Sequence, residues 1–434
     1  MKKKYRLLLF GAILLFLAVL VVQLNTRNGE GRVEETAAPV KVSPEQDAFV
    51  KKVVTHETAE LKEIEQESDV KVKAEKITKA MTVEEKVGQV MMVGFHGTEP
   101  STEIKDLIQN KQIGGIIYFD RNMTSASQTA RLSNALQQLA ASPFNVPLMT
   151  AIDQEGGDIL RMREKVSPIP SQQQLGQIAS AAEVYNVAEV NGKELNSMGI
   201  HINFAPVLDL SDTDTRSFGK DPKKTYEYGA KVIEGLNHAG VTGALKHFPG
   251  HGRSNVDPHV ETSSVEANQL DLESSDLYPF AQMIKEKENS QFFVMVTHVK
   301  YPAYDKEKPA SLSPVIMKQL LREKLGYEGI VVTDDLEMGA VNKYYSYEDM
   351  GREAMQAGAD LLLVCHEYEH QLEVYNGLVK AVKTGEIPIE RLNEAVERVI
   401  FYKLANIEHI EADPEKAEAV VKSAEHVQVI QSIN

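Results

Sequence analysis

From Met81 onward, short apolar runs alternate with stretches of helical periodicity. A first helix leads into Val87–Gly94, and the runs after it are Ile113–Phe119, Pro147–Ile152, Ile200–Val207, Gly243–His247, Phe292–Val299, Gly329–Thr333 and Ala359–Val364. Between them, Ser127–Ala141, Glu183–Met198, Lys223–Ala239, Asp271–Glu288 and Tyr347–Ala357 repeat apolar residues every three or four positions, as amphipathic helices do. Thr82-Val83-Glu84-Glu85 has the form of a capping box and opens the first helix. Strands that are apolar throughout fit a parallel sheet covered on both faces. About eight β–α units are the number a closed (β/α)8 barrel of the TIM type needs.

A doubly wound open sheet is the alternative topology. Polar residues discriminate the two, because strand after strand ends on one: Asp153, Asp209, Lys246 with His247, His298, Asp334, His366. A barrel brings all such ends to one mouth, whereas an open sheet gathers only those near its switch point. No Gly-rich phosphate loop follows a strand, so no nucleotide cofactor is indicated.

The ends of the chain read differently. Lys2, Lys3, Lys4 and Arg6 precede an apolar run from Leu7 to about Val22, close to the length that crosses a bilayer. Residues 1–24 are therefore expected to be an uncleaved signal-anchor or a cleaved signal peptide, leaving the bulk of the chain extracytoplasmic. Residues 25–78, rich in Glu, Lys, Val and Thr, are expected to be a charged spacer. A single barrel domain is expected over 79–405, closed by a helix at Ile387–Tyr402, and 406–434 reads as a charged helical tail with no room for a second full domain.

Composition narrows the partners. Of 434 residues, 42% are hydrophobic and the formal charge is −16, which disfavours nucleic acid. Cys365 is the single cysteine, so there is no intramolecular disulfide, and it lies in an apolar run where a buried, inert thiol is the default. Trp is absent, so a bound sugar would rely on polar contacts, Tyr or Phe.

The densest chemistry is Lys246-His247-Phe248-Pro249-Gly250-His251-Gly252, running on to Asp257-Pro258-His259. His247 and His251 have a helical zinc-ligand spacing, but Pro249 and Gly250 between them argue against a helix, and no metal is expected. Thr333-Asp334-Asp335 follows Ile330-Val331-Val332. Adjacent strand residues point to opposite faces, so Asp334 is taken as the nucleophile candidate and Asp335 as structural, capping the following helix. Capping by both acids is the bland alternative. Asp153-Gln154-Glu155-Gly156-Gly157 follows another apolar run, with Arg161 further along its loop and Arg216 beyond Asp209. Carboxylates accept hydrogen bonds from sugar hydroxyls, and Arg offers a rigid fork of donors.

These three strings, together with Arg216-Ser217-Phe218-Gly219, resemble the family-three glycoside hydrolases over about Met81 to Tyr402. The similarity is strongest to the bacterial β-N-acetylglucosaminidase branch, which acts on cell-wall fragments. The resemblance implies a retaining exo-hydrolase of terminal β-linked N-acetylglucosamine that needs no cofactor. In that reading Asp334 is the nucleophile, His259 the general acid and base, and Asp257 the group that orients His259. Asp153, Arg161, Arg216, Lys246 and His247 then bind the sugar, peptidoglycan fragments are the partner, and a monomer is expected. The branch usually has Ser between the acid and the histidine, where this chain has Pro258. Proline fixes φ and lacks an N–H, which bears on how the loop carries His259. A β-glucosidase, a phosphorylase using the same histidine, and a silent sugar-binding protein are the competing readings.

Overall fold

The computed structural model describes residues 60–140, 142–253, 263–408 and 411–433. The anchor expected at 1–24 and the first part of the expected spacer lie outside them, as do Asp257, Pro258 and His259. Among the described residues no helix is long and apolar enough to cross a membrane. The described residues divide into two units, one ending at Gln66 and one beginning at Glu67. In the first, residues 60–65 form a helix. The second already includes part of the stretch read as spacer: Val70–Ala80 is a helix, N-capped by Asp69, that packs against the helix Ile389–Asn406.

Eight parallel strands close into a barrel in that second unit. They are β1 (Met91–Val93), β2 (Gly115–Tyr118), β3 (Met149–Ile152), β4 (Ile202–Asn203), β5 (Thr242–Phe248), β6 (Phe292–Val296), β7 (Val331–Asp335) and β8 (Leu361–Val364). Each pairs with its neighbour in sequence and β1 pairs with β8, so the barrel expectation holds and the open sheet does not. The strands are buried along nearly their whole length, which is why they read as unbroken apolar runs. Met92, Ile117, Ala151, Ile202, Ala244, Met295, Val332 and Leu363, one from each strand, belong to a single core cluster. Val399 and Tyr402 of the helix Ile389–Asn406 extend it. Fully burying each of the larger side chains contributes about 1.5–3 kcal/mol.

The helices start where local chemistry satisfies their first N–H groups. Thr82 Oγ1 accepts from Glu85 N at 3.2 Å while Glu85 Oε2 accepts from Thr82 N at 2.7 Å, so both arms of the capping box form. Ser180 and Glu183 repeat the device at the head of Ala181–Ser197. One expected helix is broken: 271–288 contains two, Gln269–Ser274 and Tyr278–Glu286. Pro279 explains the break, since a proline is accommodated in a helix's first turn but not in its interior. The tail forms two short helices, Pro414–Val420 and Ala424–Gln431.

Candidate active site

Two strands carry most of the chemistry, and each slips its register where the chemistry sits. Along β5, Leu245 pairs with Val294 but Phe248 with Val296, so Lys246 and His247 face a single residue of β6. Along β7, Val332 pairs with Leu361 but Asp335 with Leu363, which leaves Thr333 and Asp334 in a second bulge. A bulge bends its strand and re-aims side chains. Thr333 Oγ1 accepts from Leu363 N at 3.1 Å and secures the second.

Lys246, almost fully buried, donates to Asp153 Oδ1 at 2.7 Å and to Glu155 Oε1 at 2.6 Å. Arg216 grips the same Glu155 in a two-pronged pair, Nε to Oε2 and Nη2 to Oε1, both at 2.8 Å. Burial opposes the charge on Glu155, but Lys246 and Arg216 outweigh it and hold its pKa down to about 2. Burial likewise works against the Lys246 ammonium, yet Asp153 and Glu155 raise its pKa above the ordinary lysine value. Arg161 approaches from the loop beyond, with Nη2 4.0 Å from Asp153 Oδ2 and Nη1 3.5 Å from Asp120 Oδ2. The Phe119 ring, one residue past β2, has two guanidinium groups near it, Arg161 Cζ at 5.3 Å and Arg121 Cζ at 4.4 Å from its centroid.

A second cluster adjoins the first through His247. Asp209 Oδ2 accepts from His247 Nδ1 at 2.6 Å and lies 3.4 Å from His251 Nε2, while Oδ1 accepts from the His251 N–H at 2.8 Å. The two imidazoles stack with centroids 4.6 Å apart. Burial pushes His247 below the ordinary imidazole value and Asp209 only partly offsets this; towards the carboxylate the ring donates through Nδ1. Burial acts against ionised Asp209 too, but the two histidines and the His251 N–H keep its pKa well below the usual carboxylate range. Asp209, His247 and His251 are the group of described residues whose donor atoms lie close enough to share a metal ion. As arranged, the Nδ1–Oδ2 contact has hydrogen-bond length.

Asp334, half-buried, accepts from the Asp335 N–H at 2.9 Å. Burial alone would raise its pKa, but His247, His298, that N–H and Lys246 together bring it below the ordinary aspartate value. It is therefore ionised at neutral pH, in the electrostatic reach of the residues that close the first two clusters. His298 is fixed beneath it, Nδ1 at 2.6 Å from Ser311 Oγ and Nε2 at 2.8 Å from the Asp335 carbonyl. A carbonyl only accepts, so Nε2 carries a proton.

Asp335 does not cap the helix that follows: the residue preceding Gly339–Asn342 is Met338, with no side-chain cap. Its Oδ1 instead accepts from Cys365 N at 3.1 Å and Glu337 N at 3.2 Å, and Oδ2 lies 3.3 Å from His366 Nε2. It ties β7 to β8, a structural role of a different kind from the one expected. Cys365 is buried, and burial pushes its thiol pKa well up.

Thus Asp153, Arg161, Arg216, Lys246, His247 and Asp334 come together at the C-terminal ends of the strands, while Asp257 and His259 fall outside the described residues. Sequence reasoning gave no role to Glu155, the acid at the centre of the Lys246–Arg216 network, nor to Asp209. The signal for Glu155 was its place two residues past Asp153, before the paired glycines; Gly156 and Gly157 both have positive φ, 99° and 57°.

Residues 82–401 match the sequence model of the glycosyl hydrolase family 3 N-terminal domain. The chain belongs to glycosyl hydrolase family 3. It is a glycoside hydrolase by that membership. It is 32% identical over 367 residues to a protein of Pseudoalteromonas piscicida named beta-hexosaminidase A, covering 74% of this chain and 61% of that one. It is 34% identical over 293 residues to a beta-hexosaminidase of Photobacterium profundum, covering 66% and 85%. Among solved structures, a glycoside hydrolase family 3 beta-N-acetylglucosaminidase from Paenibacillus superposes with a TM-score of 0.75 at 37% identity, over 82% of this chain and 68% of that one.

Proposed function

We propose that the protein is a retaining exo-β-N-acetylglucosaminidase that acts on peptidoglycan fragments outside the cytoplasm. The observation that carries this reading is Asp334: an ionised carboxylate beside the Lys246–Asp153 and His247–Asp209 pairs. The names of the relatives, beta-hexosaminidase and beta-N-acetylglucosaminidase, support the sugar.

In this mechanism Asp153, Arg161, Lys246 and His247 hold the terminal sugar by its hydroxyls. Asp334 attacks the anomeric carbon as the glycosidic bond breaks, forming a glycosyl ester. His259, as imidazolium, gives its proton to the leaving oxygen, and Asp257 favours the charged ring. The same imidazole, now neutral, takes a proton from water as that water attacks the anomeric carbon. The ester bond breaks, Asp334 leaves as carboxylate, and two inversions give net retention. Glu155 serves the site indirectly, by fixing Lys246 and Arg216.

Incubation with a slow 2-acetamido-5-fluoro glycoside, followed by peptide mass spectrometry, tests the assignment. The expected result is one hexosamine adduct on the peptide containing Asp334. An adduct on another carboxylate, or turnover at the wild-type rate by Asp334→Ala, refutes it. Digestion of muropeptides against chitobiose compares the candidate glycans. Fractionation of cells expressing the full chain tests the proposed anchor.

A further inference from the structure

The loop 153–171, which bears Asp153, Glu155 and Arg161, is held at two points by one helix. Asn191 of Ala181–Ser197 donates through Nδ2 to the Gln154 carbonyl at 2.8 Å. Three residues on, on the same helix face, Glu194 takes the other end of the loop: its Oε2 accepts from Ser167 N at 3.1 Å and its Oε1 from Ser167 Oγ at 2.6 Å. Between these anchors Arg161 N donates to Gln154 Oε1 at 2.6 Å, and Val166 N turns back to the Met162 carbonyl at 3.2 Å. Glu194 and Ser167 are 3% and 0% exposed.

The same Glu194 oxygen also reaches the tail. Oε1 accepts from Lys422 N at 2.8 Å and lies 3.0 Å from His426 Nδ1. Lys422 adopts a left-handed φ of 56°, and its Nζ donates to the Glu164 carbonyl of the loop at 2.8 Å. The tail is itself fastened to the helix Ala126–Leu139, where Asn134 exchanges two hydrogen bonds with Ala412, at 2.8 and 2.9 Å. The family match ends at residue 401, so this tail lies outside it and yet is bonded to the loop, through the Glu194 carboxylate and directly through Lys422 Nζ.

We propose that Glu194 is a positioning residue that clamps the substrate loop to the C-terminal tail, so that the tail sets how firmly Asp153 and Arg161 hold the sugar. The clamp rests on the sugar-binding reading above for its effect on affinity, though not for its effect on loop order. A buried carboxylate that accepts four hydrogen bonds loses each at a cost, because its oxygens cannot turn to water instead. Releasing the tail arm therefore loosens the loop without touching the reacting atoms. Residues that bind substrate and transition state alike change KM more than kcat when they are mispositioned.

The test uses the full-length protein with His426→Ala, His426→Asn, which keeps a donor near the Nδ1 position, and Ser167→Ala. Two readouts are taken: amide hydrogen exchange of the peptides spanning 153–171, and kinetics with 4-nitrophenyl N-acetyl-β-glucosaminide. His426→Ala and Ser167→Ala are expected to quicken exchange in the loop and to raise KM roughly three- to tenfold, with kcat within about twofold. His426→Asn should recover most of both. Unchanged exchange in the loop overturns the clamp, and so does faster exchange with an unchanged KM, the outcome of a merely structural role. A wild-type protein that hydrolyses no β-N-acetylglucosaminide would sink the proposed function, while the exchange measurement would still decide the clamp.

Discussion

At the base of the barrel, Asp360 immediately precedes β8; at the mouth, Asp153 and Asp334 stand at the opposite ends of β3 and β7. Both places gather acids with arginine or lysine. Asp360 is fully buried, and its oxygens take Val331 N at 3.0 Å, Arg398 Nη1 at 3.0 Å, Arg391 Nη2 at 3.2 Å and the guanidinium of Arg322. Burial would neutralise it, but the three arginines hold its pKa below the usual aspartate value. At the mouth the pairing is unfinished. The Asp153 and Arg161 side chains are each 21% exposed, and they meet at 4.0 Å rather than at hydrogen-bond length. The contrast teaches that ion-pair chemistry alone does not mark a site in this fold. Strand direction and leftover hydrogen-bonding capacity do.

Substitutions break the comparison in opposite ways. Asp334→Ala is expected to lower kcat/KM by roughly ten-thousand-fold or more, the scale of losing a nucleophile, while the thermal midpoint stays within a few degrees. Asp360→Ala should do the reverse: a loss of about 3–5 kcal/mol in denaturant unfolding, because three guanidinium groups lose their buried partner, with kcat of the folded fraction unchanged. If Asp360→Ala spared stability, the distinction between base and mouth would fail.

Glu155 belongs to both categories and sharpens the line between them. Its folded pKa of about 2 lies below the ordinary 4.5, so the unfolded chain binds protons more readily between those values. Stability therefore declines as pH falls from about 4.5 towards 2, by about 3 kcal/mol in all. Glu155→Gln should flatten that part of the pH–stability curve, which urea unfolding across the range would show. The smallest expected effect is that of Arg161→Lys: a KM raised about tenfold through loss of the planar fork, with stability within about 0.5 kcal/mol. A wild-type KM would remove Arg161 from the sugar site.

Much of this was legible in the chain. Unbroken apolar strands with polar residues at their ends specify a barrel because both faces of each strand are covered, and the converging ends identify Asp153, Lys246, His247 and Asp334. What stayed hidden depends on partners distant in sequence. The bulges at Lys246–His247 and Thr333–Asp334 are properties of register between strands, so neither strand's own pattern reveals them. Glu194 reads as one more acid in an amphipathic helix, and only the fold brings Ser167 and His426 to it. Asp335 follows the same logic: capping was the local guess, whereas beside Glu337 N its partners lie about thirty residues on, at Cys365 and His366.

The two bulges have an evolutionary corollary. Below each one the ladder is regular and apolar, and beyond it pairing resumes in a shifted register, Phe248 with Val296 and Asp335 with Leu363. Reactive residues are thereby uncoupled from the part of the strand that makes the barrel close. Exchange of a working side chain at these two rungs therefore leaves the closing ladder beneath as it is, and its cost in folding is confined to that side chain's own partners, Asp153 and Glu155 for Lys246 and Asp209 for His247.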